Sequence, residues 1–179
     1  MKTTPGLLCC PAMGGDVLAC LLPPGALLQK YAQGGAFTDC YAIEVPGTVS
    51  QARFVEAFYC GRLFRLERLL IRLFLSRAST DAQVRELAAG QASDFAAWRV
   101  EERRPDQLLM CDIVGRTRSW LMTVPDDAKT RLYFGSAVVP VRDPKTGQAH
   151  MGRLFDALHG FHRLYSRLLL AGARSRLQA

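Results

Sequence analysis

Between residues 95 and 139, strand-like segments follow one another with connections too short to do anything but reverse the chain. Residues 95–102 (FAAWRVEE), 107–114 (QLLMCDIV), 117–124 (TRSWLMTV) and 130–139 (TRLYFGSAVV) are rich in the β-branched and aromatic side chains that suit a pleated surface. Between them stand Pro105-Asp106, Gly115-Arg116 and Pro125-Asp126-Asp127, all turn chemistry. Parallel neighbours would need crossovers of about a dozen residues or more, so these strands form an antiparallel meander. Such a sheet has an apolar face that something must cover.

The natural cover is the last stretch, residues 151–176. Its Met151, Leu154, Phe155, Leu158, Phe161, Leu164, Tyr165, Leu168 and Leu169 recur at three and four residues, the period of a helix burying one broad face. His162 falls on or beside that stripe, and with Tyr165 it offers polar atoms there.

Upstream, residues 38–45 (TDCYAIEV) alternate, with Cys40, Ala42 and Glu44 on one face and Tyr41, Ile43 and Val45 on the other. They form a first strand ended by Pro46-Gly47. Helices are expected over 48–60, opened by a Thr48/Gln51 capping box, over 63–76, and from Thr80, capped with Gln83, to Gly90. Residues 1–37 read as an irregular lead-in with a short helix over 27–33, and residues 38–179 as one domain. Pro11, Gly14, Gly15, Pro23 and Pro24 break any membrane-spanning run. Val17-Leu18-Ala19-Cys20 loosely resembles a bacterial lipobox, which makes an exported lipoprotein the minor alternative to a cytoplasmic protein.

Charge narrows the partners. The net +7 is spread over helical regions, without a Lys/Arg run or aromatic interleaving, which argues against a nucleic-acid surface. Arg65, Arg68 and Arg72, with Arg163, Arg167 and Arg174, leave room for weak peripheral contact with anionic membrane or a protein partner. The six cysteines (Cys9, Cys10, Cys20, Cys40, Cys60, Cys111) show no metal spacing and fit reduced thiols acting as small hydrophobes. His159 and His162 are three apart but have no acidic or Cys companion near in sequence, so no metal is expected. No nucleotide-binding glycine loop, nucleophile elbow or zinc-protease motif is present, and no cofactor is expected.

If Gly115-Arg116 is a two-residue hairpin loop, Cys111 faces Trp120 and Leu109 faces Met122. Arg118 is then the one charge on an otherwise apolar face. At the rim it either snorkels to solvent or meets a carboxylate of the protein or of a ligand. Trp98, Trp120 and Tyr133 are core residues first and pocket lining second.

In this order (strand, helices, meander, long helix), the wording FAAWRVEE, QLLMCDIVGRTRSWLMTV, TRLYFGSAVVP and GRLFDALHGFHRLYSRLL resembles the START-like or SRPBCC helix-grip superfamily, in its uncharacterised bacterial members. The resemblance implies an α+β fold over about residues 38–176: a curved antiparallel sheet wrapped around the C-terminal helix, with a cavity between them. Here a helical insert after the first strand is longer than usual. The superfamily shares no catalytic set; it includes carriers, cyclases and ring-hydroxylase subunits, and the iron-ligand pattern of the last is absent here. The first expectation is therefore a non-enzymatic binder of a hydrophobic or lipid-like small molecule, its cavity lined by Trp98, Cys111, Arg118, Trp120, Tyr133, Leu158, His162 and Tyr165. The alternative is a cyclase- or dehydratase-like enzyme using His162, Arg118 and Tyr133 on a carbonyl substrate. It requires those three side chains to converge.

Overall fold

The computed structural model describes residues 16–65, 79–142, 149–150 and 153–179; of 141–142, 149–150, 153–159 and 161 it describes the backbone alone. The expected helix over 63–76 lies mostly outside these residues, and only 62–65 are seen to be helical. Leu158, His159, Arg68, Arg72, Cys9 and Cys10 also fall outside the described side chains.

The chain is α+β. Strand β1 (Leu18–Ala19) and the short helix α1 (Gln29–Gln33) precede β2 (Phe37–Pro46). Helices α2 (Gln51–Tyr59) and α3 (Asp81–Ala88) follow. The meander is β3 (Asp94–Phe95), β4 (Trp98–Arg104), β5 (Gln107–Asp112), β6 (Thr117–Asp126) and β7 (Lys129–Val138). A small pair, β8 (Val141–Arg142) and β9 (Ala149–His150), leads into α4 (Arg153–Gln178). The main sheet is antiparallel, curved and unclosed, in the order β1-β2-β7-β6-β5-β4-β3, so β2 closes onto the far side of the meander. With the C-terminal helix this is the expected helix-grip arrangement.

Local chemistry explains the boundaries. Thr80 caps α3 in the expected reciprocal box with Gln83. At α2 the cap is Ser50, not Thr48: its Oγ accepts from Arg53 N–H at 3.3 Å. The strand expected over 95–102 breaks after Phe95, where Ala96 takes a positive φ of 54°. The β5–β6 loop is longer than two residues. Asp112 Oδ1 accepts the Arg116 N–H at 2.7 Å and holds a wider turn, so Cys111 pairs with Arg118 and Leu109 with Trp120. That register is shifted by two from the expected one, which leaves every side chain on its expected face.

What each face meets is the larger finding. Tyr41, Ile43, Val45, Leu108, Met110, Leu121, Leu132 and Phe134 face the helices. Against them pack Phe54, Phe58 and Tyr59 of α2, Phe64 and Phe95, in an aromatic cluster of mostly edge-to-face pairs, with Phe64 and Phe95 stacked, whose neighbouring rings lie 4.7–6.4 Å apart. Leu169, Leu170 and Ala173 bring α4 onto the same core. Of the expected stripe, Leu169 is buried and Tyr165 packs against the core, but over the described side chains of α4 the buried stripe is rotated. Leu164 and Leu168, expected inward, are 57% and 51% exposed, while Ser166, small enough for close approach, is fully buried.

The opposite face is covered by the N-terminal arm, so residues 18–33 are a layer of the domain and not an irregular lead-in. Ala26, Leu27, Leu28, Leu22 and Tyr31 pack on Cys40, Ala42, Leu109, Trp120, Met122, Tyr133 and Ala137. Gln107 ties the arm down: its Oε1 accepts from Leu27 N–H and Trp120 Nε1–H, both at 2.9 Å, and its Nε2 donates to Gly25 C=O at 3.2 Å. Gly135, opposite Trp120, leaves the room that Leu28 and the indole occupy.

Candidate functional site

The register of three strands aligns polar side chains across the helix-facing side of the sheet. Asp39 of β2 pairs with Ser136 of β7, and Ser136 with Ser119 of β6. All three are in phase with core residues: Asp39 with Tyr41 and Ile43, Ser136 with Phe134 and Leu132, Ser119 with Leu121. They form a polar row in an apolar surface, 7% exposed at Ser119 and 2% at Ser136.

Helix α4 roofs this row with His162. Ser136 Oγ donates to Asp39 Oδ1 at 2.6 Å, and that oxygen also accepts the Ser136 backbone N–H at 3.0 Å. The Ser136 proton is thus committed, so the 2.8 Å contact between its Oγ and His162 Nε2 is one in which the imidazole donates. Nε2 also lies 3.2 Å from Asp39 Oδ2, a buried oxygen with no further partner among the described residues. The arrangement is not a relay of Ser, His and Asp, because one nitrogen meets both oxygens. The His162 side chain is 26% exposed.

Electrostatics follow from this packing. Burial pushes the Asp39 carboxyl up, but His162 and then Ser136 outweigh it and hold it below the usual carboxylate range. Burial and the Asp39 charge push the neighbouring Tyr41 phenol above its ordinary range, against the pull of Arg163 and Arg167. The Arg167 guanidinium lies 5.8 Å from the Tyr41 ring. Nearby, Phe37, Asp39, Tyr41 and Arg163 line a surface cleft of about 250 Å³. At the other end of the row Tyr59 Oη sits 3.4 Å from Ser119 Oγ, and one turn along α4 Ser166 Oγ is buried with no hydrogen-bond partner among the described residues. The row can therefore hold a hydrogen-bonding group presented from the helix side.

The residues expected to line one cavity divide between two faces. His162 and Tyr165 are on the helix side, and Trp98 packs partly against the same core. Trp120 and Tyr133 are on the arm side, their rings 6.3 Å apart. Arg118 and Cys111 pair on that face as well, Arg118 standing opposite Ala137. Arg118 does meet a carboxylate: Nε donates to Glu101 at 2.6 Å and to Tyr31 Oη at 2.7 Å, and its guanidinium lies over the Tyr31 ring. Lys30 joins through Glu101 at 2.8 Å, so Arg118 clasps α1 to the sheet. The sheet separates it, and Tyr133, from His162. The three side chains of the enzymatic reading therefore do not converge.

Asp39 and Ser136, the centre of the row, were not among the expected site residues. The signal for Asp39 was present: extending the Tyr41–Ile43–Val45 alternation back by two residues places a carboxylate on a buried face. That Ser136 would stand beside it depends on β2 pairing with β7, a contact between segments about a hundred residues apart in the chain.

No family model matches this sequence, and no curated protein or solved structure matches it either.

Proposed function

From the polar row under α4 we infer that this chain binds a small amphiphilic molecule between the sheet and its C-terminal helix. The ligand's hydrogen-bonding group meets His162, Ser136 and Asp39, and its apolar body lies against the sheet beyond the aromatic cluster of α2. One observation carries the reading: a linked carboxylate, hydroxyl and imidazole set into an apolar face, with the imidazole part-exposed. Polar groups in such a place cost stability unless satisfied, and few, convergent polar groups on an apolar wall are how small-molecule sites fix orientation. Arg118 and Tyr133 serve the arm side and take no part. Native mass spectrometry and solvent extraction of the full chain test this. The expected result is a retained small molecule, or a hydrophobic fluorescent probe bound in its place, with occupancy reduced in Ser136→Ala and His162→Ala. A chain that retains nothing and binds no such probe would overturn it.

A further inference from the structure

The register of β1 on β2 pairs Leu18 with Ala42 and Ala19 with Tyr41, so the next residue, Cys20, stands opposite Cys40. The backbone confirms the pairing: Cys20 N–H donates to Cys40 C=O at 3.0 Å. Opposed residues of an antiparallel pair have Cα atoms about 5.5 Å apart, inside the range a disulfide spans. The two sulfurs already lie 3.5 Å from each other, and both cysteines are free thiols.

The two are unequal. Cys20 is half-buried on the arm, whereas Cys40 is only 4% exposed. Both line two surface clefts, of about 380 Å³ and 250 Å³, which are large enough to admit a small reagent to the sulfurs. Cys60 is buried, and Cys111, on β5, bonds the Asp112 carbonyl at 3.2 Å.

We propose that Cys20 and Cys40 form a thiol–disulfide redox pair, with Cys20 as the residue attacked by a hydroperoxide and Cys40 as the resolving thiol. In the first step the Cys20 thiolate attacks the peroxide's terminal oxygen. A sulfur–oxygen bond forms, the O–O bond breaks, and the sulfenic acid and an alcohol (water, for hydrogen peroxide) result. In the second step Cys40 attacks the Cys20 sulfur and expels the hydroxide as water. Two electrons have passed from the two thiols to the peroxide, and a disulfide joins the arm to β2. A dithiol reductant reverses the change. The side-chain hydrogen bond shared with Cys40, with the charge of Arg131 and against the cost of burial, lowers the Cys20 pKa and favours its thiolate; Cys40 itself is pushed up by Cys20 and by burial.

The experiment is oxidation of the reduced full chain with hydrogen peroxide, followed by peptide mapping without reduction, so that all the cysteines are followed at once. The expected product joins the Cys20 and Cys40 peptides, with a mass lower by two hydrogens and reversible by dithiothreitol, while Cys60 and Cys111 keep their thiols. In Cys40→Ser, dimedone should trap a sulfenic acid on Cys20; in Cys20→Ser, Cys40 should stay a thiol. The proposal is overturned if Cys20 stays reduced under conditions that oxidise free glutathione, or if it joins the other cysteines as readily as Cys40. Cys40 oxidising equally fast in Cys20→Ser would also overturn it. The mapping of the unaltered chain decides the matter even where a variant folds poorly.

Discussion

Replacing Gln107 by Leu keeps the volume at that position and removes every hydrogen bond the side chain makes. Gln107 is 3% exposed, and its Oε1 is the acceptor of two buried donors, Leu27 N–H and Trp120 Nε1–H. The Gly25 carbonyl loses one donor but keeps Arg104 at 3.3 Å. Stranding a buried donor costs about 1–3 kcal/mol. With two stranded and part of the loss offset by the added apolar burial, the net destabilisation is roughly 2–4 kcal/mol. That is a large share of the roughly 5–15 kcal/mol by which a domain is usually stable. Urea unfolding followed by tryptophan fluorescence and by circular dichroism would show it as a midpoint lowered by about 1–2 M, taking a slope of about 2 kcal/mol/M. Limited proteolysis should find residues 18–33 newly susceptible, since Gln107 holds that arm from below. An unchanged midpoint with an arm still protected would refute the view that Gln107 anchors the N-terminal layer.

Gly135→Ala should destabilise by about 1–3 kcal/mol in the same assay. The added Cβ would stand 2.8 Å from the Asp39 carbonyl oxygen and 3.0 Å from both Leu28 and Trp120, and backbone cannot yield as a flexible side-chain tip can. Thr80→Ala should cost about 1 kcal/mol by removing one half of the α3 capping box, measured as a shift in thermal midpoint. Ser136→Ala leaves Asp39 Oδ1 with the backbone N–H alone and takes from His162 Nε2 the nearer of the two oxygens it meets, leaving Asp39 Oδ2 at 3.2 Å; a loss of about 1–2 kcal/mol is expected, together with weakened probe binding. Asp39 predicts a pH dependence. Its folded pKa is depressed below the unfolded value, so the stability it contributes is present above the ordinary carboxylate range and is lost as pH falls through the folded pKa. The acid limb of a stability–pH profile should flatten in Asp39→Asn; an unchanged acid limb would count against the His162–Asp39 contact.

The meander, the first strand, the Thr80 box and the long last helix were legible because each depends on chemistry within a few residues: alternation, turn residues, a cap, a helical period. Side-chain phase was legible too, since a strand alternates strictly. The wider β5–β6 turn shifted the register by two and left that phase intact. Which phase would meet the helices was not legible. Both faces of β5–β7 are apolar, one with Leu108, Met110 and Leu121, the other with Leu109, Trp120 and Met122. An apolar face says that it will be covered, not by what.

Tertiary structure decided this by laying residues 18–33 over one face and α2 and α4 over the other. It thereby made Arg118 a clasp on Tyr31 and Glu101 and left His162 to meet a row of β2 and β7 polar groups. It likewise rotated α4 so that Leu168 faces out and Ser166 in. The sequence by itself determined the elements and the two sides of each strand, because those are short-range properties of the backbone. The partners of each side, and with them the Asp39–Ser136–His162 site and the Cys20–Cys40 pair, came from long-range pairings that no local pattern encodes.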